Sequence, residues 1–237
     1  MARFGLIAGA AFAGLVGFFA FRGVIRAAGE SGWKPIFDGR TLAGWDGDPT
    51  YWRVENGCLV GEVTPSTRLH RNTFIIWRGG LTRDFELVAQ YRISERGNSG
   101  INYRSEEVPG LRWALRGYQA DIDGQNRYTG QNYEERGRKF IAHRGQVTDL
   151  PDGRSPVEIA QTGDTKALLD SIRTGDWNEY HLIVRGNVMM HVLNGRLMSM
   201  VIDDDSKHRR SEGLLGMQVH VGPPMKVEFR NLRIRPL

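Results

Sequence analysis

HLIVRGNVMMHVLNGRLMSMVI, residues 181–202, holds three short apolar runs separated by turn residues. It reads as strand, turn, strand, an Asn194-Gly195 turn, then strand, because Asn-Gly accepts the positive φ angles that a two-residue hairpin needs. The same grammar extends outward in both directions. WRVENGCLV (52–60) is a second hairpin with Asn56-Gly57 at its turn, and FELVAQYRI (85–93) alternates Phe85, Leu87, Ala89, Tyr91 and Ile93 against Glu86, Gln90 and Arg92. At the end of the chain, VEFRNLRIRPL (227–237) turns Val227, Phe229, Leu232 and Ile234 inward, with a bulge at Arg230-Asn231 where the parity slips. Many short strands with turn chemistry between them predict an all-β sandwich or barrel. Residues 124–176 interrupt the rhythm with Gly, Pro, Asp and Arg clusters and read as a long loop region. Within it DTKALLDSIR (164–173) is the one short helix expected, capped by Asp164. No linker or second core is visible, so residues 33–237 form one domain.

The N-terminus has a different character. FGLIAGAAFAGLVGFFAF, residues 4–21, carries no charge and as a helix is roughly 27 Å long, enough to cross a hydrocarbon core. Residues 1–27 read either as a cleaved signal peptide or as a retained anchor, and either way the chain is expected to be exported, to a periplasmic or extracellular place. The segment holds Arg3, Arg22 and Arg26, so without it the net charge falls from +5 to +2. That balance is no electrostatic footprint for nucleic acid. A single cysteine, Cys58, excludes an intrachain disulfide and any Cys-based zinc or redox motif.

Three strands share an unusual polar side. GINYRS (100–105) sets Ile101 and Tyr103 against Asn102 and Arg104. GYQADID (117–123) sets Tyr118, Ala120 and Ile122 against Gln119, Asp121 and Asp123. GLLGMQVHVG (213–222) sets Leu215, Met217, Val219 and Val221 against Gln218 and His220. If these strands are neighbours, Arg104, Asp121, Gln119, Gln218 and His220 converge on one concave face. Amides, a cation, a carboxylate and an imidazole together suit a polyol, whose hydroxyls need donors and acceptors. Trp113 and Tyr133 would stack on a sugar ring. The plainer alternative is the solvated face of an antiparallel sheet.

Other groups read as structural. His181 and His191 lie in strands, Asp203–Asp205 as a solvated turn, and Glu134 and Glu135 point apart if extended. There is no HExxH, P-loop or GxSxG. No cofactor is expected, with a divalent metal left as an open question.

The motifs WKPIFDGRTLAGW (33–45), GNSGINYR (97–104), GYQADI (117–122), YTGQNYEERGR (128–138), DWNEY (176–180), LNGR (193–196) and GLLGMQVHVGPPMKVEFRNLRIRPL (213–237) occur in order. Together they resemble the 3-keto-disaccharide hydrolase domain family over nearly all of residues 33–237. The resemblance implies a concanavalin A-like jelly-roll sandwich of two antiparallel sheets. It also implies chemistry on glycosides whose C3 hydroxyl is oxidised to a ketone, cleaved by elimination and then hydration. In that chemistry His220 is the expected base, Arg104 the enolate stabiliser, and Asp121 the group that orients His220 or binds hydroxyls. Tyr133, Glu135 and Arg138 would supply an acid and substrate contacts, beside Asn102, Gln119, Trp113 and Gln218. Many members carry an acidic residue before the motif histidine, where this chain has Val219. The competing expectation, from a different class, is a non-catalytic carbohydrate-binding or lectin-like module at the cell envelope. The partner in either case is a small sugar, with a membrane added if residues 4–21 are retained.

Overall fold

A computed structural model describes residues 32–237, and the N-terminal helix expected within residues 1–27 lies outside them. Seventeen strands and one short helix follow one another. They are β1 (Lys34–Pro35), β2 (Trp45–Asp46), β3 (Trp52–Glu55), β4 (Cys58–Val63), β5 (Thr73–Thr82), β6 (Phe85–Ile93), β7 (Asn98–Glu107), β8 (Leu115–Asp123), β9 (Asn132–Glu135), β10 (Lys139–Ala142), β11 (Gln146–Leu150), β12 (Val157–Gln161), α1 (Thr165–Asp170), β13 (Asn178–Arg185), β14 (Val188–Leu193), β15 (Arg196–Asp203), β16 (Gly213–Val219) and β17 (Met225–Pro236). They form two sheets. The larger has the order β12-β11-β15-β14-β13-β6-β17-β4-β3, with β1 added on β17; the smaller has the order β10-β9-β8-β7-β16-β5-β2. Pairing is antiparallel except between β11 and β15, which run parallel, a departure from the purely antiparallel sheets expected.

Period-2 alternation builds the core. Leu87, Ala89 and Tyr91 of β6, Tyr180, Leu182 and Val184 of β13, and Val227 and Phe229 of β17 meet Ile101 and Tyr103 of β7, Ala120 and Ile122 of β8, and Leu215, Met217 and Val219 of β16. Side chains this fully buried each contribute about 1.5–3 kcal/mol of transfer free energy. The turns follow the residues that punctuate them. Asn56 and Gly57 sit at φ 51° and 77°, Asn194 and Gly195 at 50° and 78°, as a two-residue hairpin demands. The β6–β17 register shifts between Arg230 and Arg233, with Asn231 at φ 53°. Asp164 caps α1 by accepting the Ala167 N–H at 2.7 Å. The stretch 124–176 is not the loop expected, since it contains β9 to β12. Its strands are only four or five residues long, and two of them, β10 and β12, are edge strands, with β12 exposed at every residue, so little alternation shows.

A second slip changes a side chain's destination. The β7–β8 register shifts between Tyr103 and Glu106, and Arg104 adopts φ 44°. The guanidinium therefore leaves the polar face predicted for it and is almost wholly buried elsewhere. Its Nε donates to Arg83 O (2.9 Å), Nη1 to Gly186 O (2.7 Å) and Arg210 O (3.2 Å), and Nη2 to the Asp84 carboxylate (3.0 Å). One side chain thus ties the β5–β6 turn, the β13–β14 turn and the segment entering β16. Replacing it strands three carbonyls and leaves the half-buried Asp84 carboxylate with only the Gly186 N–H. Arg104→Ala is expected to lower unfolding stability by about 3 kcal/mol or more, read from urea denaturation. A change under about 0.5 kcal/mol would show that the clamp is dispensable.

Candidate functional site

The outward face of the smaller sheet takes every second residue of β7, β8, β9 and β16. Pairing sets Gly100 opposite Asp121, Asn102 opposite Gln119, and Gln119 opposite Tyr133, while Gly117 faces Glu135. Gly100 has a specific purpose: a Cβ there would lie 2.6 Å from the Gln119 side chain. Gln119 lies across that gap. Its Nε2 donates to Asp121 Oδ1 at 2.6 Å, and its Oε1 accepts from Gln218 Nε2 at 3.1 Å. The chain of bonds continues from Gln218 Nε2 to Glu135 (3.5 Å) and from Asn72 Nδ2 to Glu135 (3.3 Å), while Asn72 Oδ1 accepts the Val221 N–H (3.0 Å). Asp121, Gln119 and Gln218, expected on the polar floor, are thus joined in one network with Glu135, expected from the long loop.

The electrostatics of this floor are unusual. Burial pushes the Asp121 carboxyl well above the usual carboxylate range, and the charges of Asp123 and Glu135 push in the same direction against the Gln119 bond. Glu135 is also raised, chiefly by burial, opposed by Asn72, Arg136 and His220. Asp123 is used differently. Its carboxylate accepts the backbone N–H groups of Arg127 (3.0 Å), Tyr128 (2.8 Å) and Thr129 (2.9 Å), fixing the loop that carries Tyr128.

Above the floor lies a cavity of about 480 Å³ lined by Asn72, Asn98, Gln119, Asp121, Tyr133, Glu135 and His220, with Arg136 at its rim. One wall is aromatic. Tyr128 stacks on Phe140 with centroids 5.6 Å apart, and Tyr133 meets Phe140 edge-on at 5.0 Å. A neighbouring cavity of about 370 Å³ shares Asn98, Tyr128 and His220 with the first. The imidazole therefore stands where the two meet. Its Nδ1 lies 2.6 Å from Val221 O. A carbonyl only accepts, so Nδ1 carries a hydrogen, and in the neutral ring Nε2 is the nitrogen left to accept a proton. The orienting partner of His220 is thus Val221 O and not Asp121, whose hydrogen bond goes to Gln119.

Four expected site residues lie elsewhere. Arg104 is the clamp described above. Arg138 bonds Glu134 (2.6 Å) and Asp203 (3.0 and 2.6 Å) in a nearly dry ion cluster, so Asp203 is buried and not the solvated turn its sequence implied. Trp113 donates Nε1 to Asp46 (2.8 Å) and stacks under Arg112, outside the pocket. Asn102 faces the right way but is fully buried, in register with Gly216, over which Leu115 packs; Phe74, Ile76 and Leu115 make a small apolar cluster on this same outward face. The pocket adds Asn72, Asn98, Tyr128, Arg136 and Phe140. Asn98 was legible, since it shares parity with Gly100 and Asn102; the other four depend on loop paths that no local pattern specifies. His191, as expected, is structural: it is fully buried, its Nε2 lies 2.9 Å from the Tyr103 hydroxyl, and burial lowers its pKa to about 3. Among the described residues, no group of three His, Cys, Asp or Glu side chains is placed to hold a metal ion, and no helix is long and apolar enough to cross a membrane.

Comparison with known proteins agrees with the two-sheet architecture. A Bacteroides thetaiotaomicron protein named 3-keto-disaccharide hydrolase is 33% identical, over 87% of this chain and 79% of its own length. Among solved structures, a Parabacteroides distasonis protein named as a glycosyl hydrolase superposes with a TM-score of 0.59 at 19% identity, covering 92% of this chain and 98% of that one. The carbohydrate-binding module CBM66 of Bacillus subtilis superposes at 0.53 and 17% identity, covering 81% and 95%. At such identities the two structures speak for the all-β jelly-roll fold alone. The family model described as a 3-keto-alpha-glucoside-1,2-lyase-like domain matches residues 32–235, and the chain belongs to that family.

Proposed function

We propose that this protein is a carbohydrate-active enzyme that cleaves glycosides carrying a ketone at C3 of the sugar. The observation that supports it most is the pairing, in one pocket, of an imidazole whose Nε2 makes no hydrogen bond among the described residues and carboxyls that burial shifts towards the protonated form. A C3 ketone acidifies the C2–H bond. His220 Nε2 takes that proton, and the electron pair moves to the ketone oxygen as an enolate. Arg136 at the rim and the Asn72 amide supply donors for that oxygen, in place of Arg104. The enolate then re-forms the ketone, C1=C2 forms, and the C1–O bond breaks, with Asp121 giving its proton to the departing oxygen. Water adding at C1, with a proton at C2, completes a net hydrolysis. The two cavities that meet at His220 fit the two sugars of a disaccharide, and the Tyr128–Phe140–Tyr133 wall offers ring faces for stacking.

His220→Ala is expected to lower kcat on a 3-keto-disaccharide by about 10²–10⁴-fold with little change in binding. Full turnover by that variant would eliminate His220 as the base, whereas wild-type binding without turnover would leave the lectin-like alternative.

Asp121 makes a separate prediction about pH. Its pKa is raised in the folded state, so the stability it contributes is complete below the unfolded-state value and is lost as pH rises through the folded value. Asp121→Asn removes that loss. The variant should melt about 2–4 °C above wild type at pH 8 and equally with it near pH 4, while losing about tenfold or more in kcat. A variant that melts below wild type at pH 8 would contradict the desolvated carboxyl.

A further inference from the structure

The turn between β9 and β10 separates the sugar pocket from a third cleft, of about 560 Å³, and Arg136 in that turn lines both. The cleft is strongly cationic: Arg116, Arg136, Arg138, Lys207, Arg209 and Arg210 line it, against Glu106 and Glu134. Its charges do not cancel. Arg116 and Arg210 share the single carboxylate of Glu106, at 2.7 and 2.6 Å. Arg138 takes up Glu134, Asp203 and Asp205. The Nε of Arg210 is buried, 3.9 Å from Glu134, with no hydrogen-bond acceptor. That leaves three cations short of a partner among the described residues. Lys207 meets no carboxylate, Arg209 reaches only the Asp203 carbonyl at 3.4 Å, and Arg136 stands 4.0 Å from Glu135, whose own proton burial favours.

The backbone that carries two of these cations is anchored. Asp205 is nearly fully buried and accepts the backbone N–H groups of Lys207 (3.1 Å) and His208 (3.2 Å) on one oxygen, with His208 Nδ1 2.7 Å from the other. Arg138 bonds Asp203 immediately before, so the segment carrying Lys207 and Arg209 is tied at its base. Like charges gathered around a cleft repel one another, and an anion between them relieves that repulsion while gaining charge-assisted hydrogen bonds.

We propose that this cleft binds an anionic group, a carboxylate or sulfate ester, borne by the sugar chain that enters the pocket past Arg136. The protein is then selective for acidic 3-keto-glycosides over neutral ones. This rests on the reading of the pocket as the sugar site. Inorganic anions share the chemistry, so the test has two arms.

In the first arm, the purified full chain is given a neutral 3-keto-disaccharide and its counterpart with a uronic acid as second sugar. The account expects kcat/KM to favour the acidic substrate by about tenfold or more, with the preference shrinking as salt rises. The double variant Lys207→Ala/Arg209→Ala should bring the ratio towards one, whereas Lys166→Ala, an exposed lysine on α1, should leave it unchanged. Equal rates for the two substrates, or a preference that the double variant keeps, overturns the proposal. In the second arm, calorimetry compares the acidic disaccharide, the neutral one and inorganic sulfate. Tighter binding of the acidic disaccharide than of both others, lost in the double variant, supports the proposal. Sulfate binding as tightly as the acidic disaccharide overturns it in favour of a free-anion site. If neither substrate is turned over, the elimination chemistry fails, and the binding arm alone decides the cleft.

Discussion

Asp121 is 7% exposed on a floor it shares with Asp123 and Glu135, and three negative charges so close together out of water would repel strongly. The surroundings resolve this in two ways. Asp123 accepts three backbone N–H groups, which satisfies its oxygens and fixes the Tyr128 loop. Asp121 and Glu135 are driven towards the protonated form and held by amides, which serve either form of a carboxyl. The arrangement opposes folding at neutral pH, which is the usual mark of a site kept for chemistry rather than stability. Gly100 belongs to the same solution, since only a missing side chain lets Gln119 lie flat between Asp121 and Gln218.

Stability is concentrated elsewhere, in the core between the sheets and in the buried charge clusters at the strand ends. Arg104 closes one such end by binding three carbonyls from two turns and a loop. Arg138 closes another by linking β9 to the end of β15 through Glu134 and Asp203. Both arginines do their work beneath the surface, away from the pocket. Among the described residues, the cleft's cations short of a carboxylate partner are on turns and loops, Arg136, Lys207 and Arg209. A rigid sandwich with its reactive and recognising groups on one face and its rim is the ordinary division of labour between scaffold and site.

Much of this was legible in the residues. Alternation in FELVAQYRI, GYQADID and GLLGMQVHVG placed Gln119, Asp121, Gln218 and His220 on their observed sides, and the Asn-Gly pairs located two hairpins. Parity failed at Arg104 because a bulge resets the period locally, and a bulge without a glycine leaves no signature in composition. Asn102 kept its parity yet lost its solvent to neighbouring apolar side chains, which depends on tertiary packing alone. Of the two arginines in YTGQNYEERGR, the expected Arg138 is drawn to Glu134, four residues back, while Arg136 lines the pocket, and no local pattern distinguishes them.

The central claim is that bond cleavage passes through loss of the C2 proton. A 3-keto-disaccharide carrying deuterium at C2 of the oxidised sugar, followed by NMR during turnover by the full chain, tests it directly. Elimination requires that deuterium leave C2 for solvent as the glycosidic bond breaks, with a primary isotope effect if proton removal limits the rate. Cleavage with the C2 deuterium fully retained would mean direct displacement at C1 and would contradict it.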